Sequence, residues 1–132
     1  MKISTKGRYA LRAMIDIAQF QQDGYVPLKD ISIRQDISVK YLEQIISQLN
    51  KAGFIKSTRG TKGGYRLNRE PEDIRVGEII TLLEGELAPV SCNSDKEHIC
   101  PIFENCKTAE FWRGLYVTVN KYTNSYTLKD LL

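Results

Sequence analysis

Three cysteines, Cys92, Cys100 and Cys106, fall within one polar 15-residue stretch of a 132-residue chain. Thiolates can ligate a metal or an iron–sulfur cluster, and they can also oxidise. The spacing Cys-x₇-Cys-x₅-Cys is too wide for a zinc knuckle built on closely spaced cysteine pairs. Iron–sulfur clusters take thiolates and accept a neutral fourth donor such as His, so this set suits them chemically. Pro89 and Pro101, with Asn93, Ser94 and Asp95, predict a loop. A loop can wrap a cluster, whereas a helix with these spacings cannot bring all three thiols together. On the residues alone three readings stay open: a metal site, redox-active thiols, or inert cysteines. An odd count argues against a disulfide framework.

The elements that would position these thiols divide the chain by charge. Residues 1–69 hold 13 Lys/Arg against 5 Asp/Glu, a balance of +8, and residues 70–132 hold 6 against 11, a balance of −5. Such a split fits one part facing a polyanion, although solvated surface charge without a partner gives the same numbers. We therefore divide the chain into a reading domain, 1–69, and a segment, 70–132, that carries a linking helix, the cysteine loop and a dimerisation helix. No apolar run approaches the roughly 18 residues of a membrane helix. The N-terminus lacks the apolar stretch and cleavage site of a signal peptide, so a cytoplasmic location without membrane contact is expected.

In the first part, Tyr9 to Gln21 is apolar except at Arg8, Arg12, Asp16 and Gln19, a narrow polar stripe on a mostly buried helix. Pro27 opens a second helix, Leu28 to Gln35. Ser38 is suited to cap a third, in which Leu42, Ile45, Ile46 and Leu49 recur as a core face and Ala52-Gly53 ends the turn. Two helices joined by a short turn predict a helix-turn-helix, with an exposed polar face of an ordinary helical domain as the alternative. The exposed residues match groove chemistry. Gln44 can bond adenine bidentately and Glu43 can accept from cytosine, while Ser38, Lys40 and Tyr41 suit phosphates.

Two short strands, Phe54 to Thr58 and Tyr65 to Leu67, then flank Arg59-Gly-Thr-Lys62-Gly63-Gly64. The glycines allow a tight hairpin tip, from which Arg59 and Lys62 can reach phosphates or a narrow minor groove. No phosphate-loop signature is present. The expected fold is mainly α with a small β-hairpin, a winged helix-turn-helix followed by a long C-terminal dimerisation helix. Ile74 to Leu87 reads as an amphipathic linking helix. From Thr108 onward, Phe111, Trp112, Leu115, Tyr116, Val119 and Tyr122 form a broad apolar stripe over about four turns. That stripe predicts a homodimer, or else packing on the chain's own body. Leu128, Leu131 and Leu132 follow as packing residues. One histidine and no Ser-His-Asp arrangement give an enzyme little to work with.

Met1 to Ala10, Pro27 to Ile31, Ser38 to Gln44, Arg59-Gly60 with Gly63-Gly64-Tyr65, Val76 to Ile79 and Thr127-Leu128 resemble the Rrf2 family of bacterial winged-helix regulators. The resemblance runs the length of the chain and is strongest to the iron–sulfur cluster regulator type. It implies a transcriptional regulator, in the first instance a repressor. It further implies a homodimer on a two-fold-related operator in double-stranded DNA, with one 2Fe–2S cluster per chain on Cys92, Cys100 and Cys106. By position it assigns Ser38, Tyr41, Glu43 and Gln44 to the recognition helix and Arg59 to the minor groove. Relatives of this family respond to cluster status, nitric oxide or cysteine supply. A cluster-free regulator sensing thiol redox state or a cysteine-metabolism partner is thus the alternative, and cluster-assembly proteins are a further class of partner. One departure stands out: Ala109 occupies the position, three after the last cysteine, where that type carries its ligating histidine. The chain's one histidine, His98, is a weak substitute, beside the carboxylates Asp95, Glu97, Glu104 and Glu110.

Overall fold

The computed structural model describes residues 1–93 and 100–132. Helix α1 (Thr5–Phe20) is the central element, with Ala10, Ala13, Met14 and Ile17 fully buried. It begins four residues before the expected Tyr9. The first turn contains no acidic residue of its own; a carboxylate from elsewhere caps it, as described below. Helix α2 (Leu28–Gln35) has the expected bounds and ends at Asp36 in the left-handed region, φ 52°. Helix α3 (Val39–Lys51) follows, with Ser38 Oγ accepting from the Tyr41 N–H at 3.2 Å as anticipated. Leu42, Ile45, Ile46 and Leu49 are its buried face.

Strands β1 (Ile55–Thr58) and β2 (Gly64–Leu67) pair antiparallel, Ile55 opposite Leu67 and Thr58 opposite Gly64. The hairpin is tied to the body by a bridge the residue pattern did not announce. Val26 and Tyr65 exchange both backbone hydrogen bonds at 2.8 Å, just before α2 begins. Helix, helix, hairpin in this arrangement is a winged helix, as expected.

Helix α4 covers Val76–Glu84, shorter than the expected Ile74 to Leu87. Ile74 and Arg75 belong instead to a bridge with Thr127, in which the Leu128 N–H donates to Ile74 O at 2.8 Å. Gly85, at φ 81°, ends the helix. Helix α5 (Ala109–Ser125) agrees with the expected long helix. The core is shared: Ile74, Ile79 and Leu128 from the second part pack with α1, α2 and α3. No helix among the described residues is long and apolar enough to cross a membrane.

Candidate nucleic-acid interface and cysteine segment

The residues expected to face DNA lie on two projections of the winged helix. On α3, Lys40, Glu43 and Gln44 are exposed opposite the buried face, and Ser47, Asn50 and Lys51 extend the same polar side. Ser38 is exposed at its N-cap. Tyr41 is half-buried, its ring edge-on to Tyr9 of α1 with centroids 5.8 Å apart. At the hairpin tip, Arg59 and Lys62 are exposed.

The tip glycines have backbone reasons. Gly60 adopts φ 108°, and the Gly63 N–H donates to Gly60 O at 3.0 Å. A β-carbon at Gly63 would lie 2.7 Å from Thr58 O. At Gly64 it would collide with the Val26 backbone, so glycine there is what lets the hairpin reach its bridge. Lys56 and Arg66, which sequence reasoning had not singled out, stand directly opposite each other across the hairpin. Like charges in that position oppose pairing unless an anion offsets them. A strand register would have revealed them; the alternation of charged residues alone did not.

The described residues of the cysteine segment include two short turns. Cys92 lies in a 3₁₀ turn, Ser91–Asn93, that packs against α5. Cys106 follows a second turn, Phe103–Asn105, three residues before α5 begins. All three cysteines are free thiols of intermediate exposure. The Thr108 hydroxyl lies 3.3 Å from Cys106 Sγ. This contact, helped by the backbone N–H groups of Thr108 and Ala109, holds the Cys106 thiol below the usual range. Ala109, where a histidine would be expected, is the first residue of α5. Glu104 and Glu110 are exposed, and Asp95, Glu97 and His98 lie outside the described residues. Among the described residues no group of three His, Cys, Asp or Glu converges as a metal site. The donor chemistry suits a thiolate-ligated group.

Residues 3–132 match the profile of Rrf2, described as an iron-dependent transcriptional regulator. The chain belongs to the Rrf2 family. Over all 132 residues this Rrf2 chain is 42% identical to the HTH-type transcriptional regulator IscR of Photobacterium profundum, covering 76% of that protein. Among solved structures, CymR, the global cysteine regulator of B. subtilis, superposes with a TM-score of 0.82 at 40% identity, covering 99% of this chain and 95% of that one. T. potens IscR superposes with a TM-score of 0.77 at 41% identity, covering 99% and 85%. The Rrf2 chain is thus a transcriptional regulator and not an enzyme, and its similarity divides between regulators of two names.

Between the two projections and the cysteine segment stands α4, joined to the start of α1 by one side chain. Glu84, the last residue of α4, accepts from the Ser4 N–H at 3.1 Å, from the Ser4 hydroxyl, and from the Gly7 N–H at 2.9 Å. Partial burial pushes this carboxyl up, but the hydrogen bonds from Ser4 and Gly7 and the nearby Lys6 outweigh it and leave it below the usual carboxylate range. Glu84 supplies the acceptor and the negative charge that the N-terminus of α1 lacks.

Proposed function

We propose that this Rrf2 regulator binds a two-fold-related operator as a homodimer and represses, its affinity tuned by a 2Fe–2S cluster on Cys92, Cys100 and Cys106. In this reading residues 1–69 form the DNA-reading part and 70–132 the sensing and dimerising part, in a cytoplasmic protein. Ser38, Lys40, Tyr41, Glu43 and Gln44 enter or flank the major groove. Arg59 and Lys62, with Gly63 and Gly64 shaping the tip, address the backbone and minor groove.

The observation that carries it is the placement of the cysteines. Cys92 sits in a turn against α5, and Cys106 sits at the mouth of α5, where Thr108 lowers its thiol pKa. The other end of the segment is α4, which packs on α1, the helix that bears the reading head. When bound, a cluster would cross-link the thiolates and so tie the end of α4 to the start of α5. A change in DNA affinity follows only if the DNA-bound and free forms hold the cluster unequally. Ala109 leaves the fourth ligand to another group, His98 or a carboxylate.

Iron and acid-labile sulfide, measured per chain after anaerobic purification, test the proposal directly. About two of each support a 2Fe–2S centre. Their absence after attempted reconstitution rejects it. Cys92→Ala should then change operator affinity relative to the loaded wild type.

A second reading is a cluster-free regulator that senses thiol oxidation or a cysteine-metabolism partner. It draws on the acidified Cys106 and on the structural likeness to a global cysteine regulator. It predicts that metal-free protein binds the operator and that thiol oxidation changes that binding.

A further inference from the structure

Within the polar stripe of α1, Arg8, Arg12 and Gln19 are exposed but Asp16 is not. Asp16 has a side chain of 0% exposure, in a helix face otherwise made of Ala, Met and Ile. Its carboxylate is met by three donors from the last turn of α2. Arg34 Nε reaches Oδ2 at 3.0 Å and Arg34 Nη2 reaches Oδ1 at 2.8 Å, a two-pronged fork, and Gln35 Nε2 reaches Oδ2 at 2.9 Å. The guanidinium of Arg34 also lies over the Phe20 ring, 3.8 Å from its centroid. One turn earlier on α1, Arg12 donates to Gln35 Oε1 at 3.2 Å and to the Gln35 carbonyl. The same Arg12 stands over the Tyr9 ring, whose neighbour is Tyr41 on α3.

Tyr9, Arg12 and Asp16, at i, i+3 and i+7, therefore hold both sides of the turn between α2 and α3. They grip the end of α2 at Arg34 and Gln35 and touch the start of α3 at Tyr41. Between those grips lie five residues, from Asp36, in its left-handed conformation, through the N-cap Ser38 to Lys40 in the first turn of α3. A buried carboxylate is costly to keep unless its geometry is fully satisfied, and breaking such a pair leaves an uncompensated charge. An apolar residue would serve a plain core better. The geometry points to a positioning role: we infer that Asp16, through Arg34 and Gln35, sets the angle at which the recognition helix is presented to DNA.

This inference rests on the DNA-binding reading of α3 and deepens it. Base contacts depend on angle and distance, because a bidentate hydrogen bond fails when its helix tilts. Phosphate attraction tolerates such tilts, because it is carried by mobile Lys and Arg side chains. Loss of the Asp16 fork should therefore damage discrimination between sequences more than affinity for DNA in general.

The test uses the full chain with a duplex enriched by the wild type from a random-sequence library. A scrambled duplex of equal length and composition is the reference, and both are titrated at several salt concentrations. Asp16→Asn should lower the ratio of specific to non-specific affinity about tenfold, as for loss of one good base contact. Affinity for the scrambled duplex and its salt slope should hold. Arg34→Lys keeps the charge but not the fork, and should move the ratio the same way by less. If Asp16→Asn does not fold, Arg12→Ala and Gln35→Ala, which loosen the same grip from less buried positions, should still lower the ratio. A ratio equal to wild type in the folded variants, whatever their thermal stability, overturns the inference and leaves Asp16 a stability residue. A wild type that enriches no duplex would instead remove the DNA-binding reading, and this inference with it.

Discussion

At the residue scale, the contacts that organise this molecule join side chains far apart in sequence. Glu84 accepts three hydrogen bonds from Ser4 and Gly7, and a β-carbon at Gly7 would push the Glu84 carboxylate out of this position. Because folding lowers the pKa of Glu84, the carboxyl binds protons more readily in the unfolded chain. Its contribution is therefore fully present above the unfolded value of about 4.3 and disappears as pH falls through the lower folded value. Glu84→Gln should cost about 1 kcal/mol at pH 7, the scale of a lost helix cap. It should also flatten the fall in stability between about pH 5 and 3. Urea denaturation of both proteins across that range checks it, and parallel pH curves would show that Glu84 does not cap α1. Residues of this kind were the least legible in the sequence. Ser4, Gly7 and Glu84 carry no mutual signal, and Asp16 read as one more polar residue in a stripe because its partners sit on the next helix.

At the element scale the pattern was far more legible, because helices α2 and α3 announce themselves locally. Apolar spacing, the Ser38 cap and the Gly53 stop act within a turn or two of the residues that encode them. What periodicity could not reveal is how elements dock. The wing is held by the bridge between Val26 and Tyr65 and by the close approach at Gly64. The linking helix starts late because Ile74 and Arg75 are claimed by the segment after α5, and Gly85 ends it early. A wing anchored in this way presents Arg59 at a defined height above α3, so its charge should act as a specific contact. Arg59→Ala should weaken binding several-fold and reduce the slope of log affinity against log salt by about 0.9, the release of one counterion. An unchanged slope would mean that the wing stays off the DNA. The cysteines were equally plain as letters, yet their chemistry was not, since the spacing of three thiols outside a regular element has no period from which convergence can be read.

At the scale of the whole molecule, α5 is the element on which the proposed homodimer depends. Trp112, Tyr116 and Val119 are half-buried on the side of the helix toward α4, and the Tyr116 hydroxyl donates to Glu86 at 2.7 Å. Phe111, Leu115 and Tyr122, at i, i+4 and i+11, form an adjacent ridge, with Phe111 65% and Tyr122 64% exposed. No residue of α5 is buried, an unusual state for a helix with so many large apolar side chains. A two-fold pairing of this ridge would cover it with its own copy and place two recognition helices roughly 34 Å apart, one turn of DNA. The consequence for binding is multiplicative. The second half-site is bound at the high effective concentration set by the first, so separating the chains forfeits that gain without touching a DNA contact. Leu115→Asp puts a charge in the middle of the ridge and leaves α3 and the wing intact. By sedimentation it should be monomeric, and its operator affinity should fall about 100-fold while a single half-site is bound as well as by wild type. A variant that stays dimeric, or a monomer that keeps full operator affinity, would show that α5 is covered by something other than a second copy of this chain.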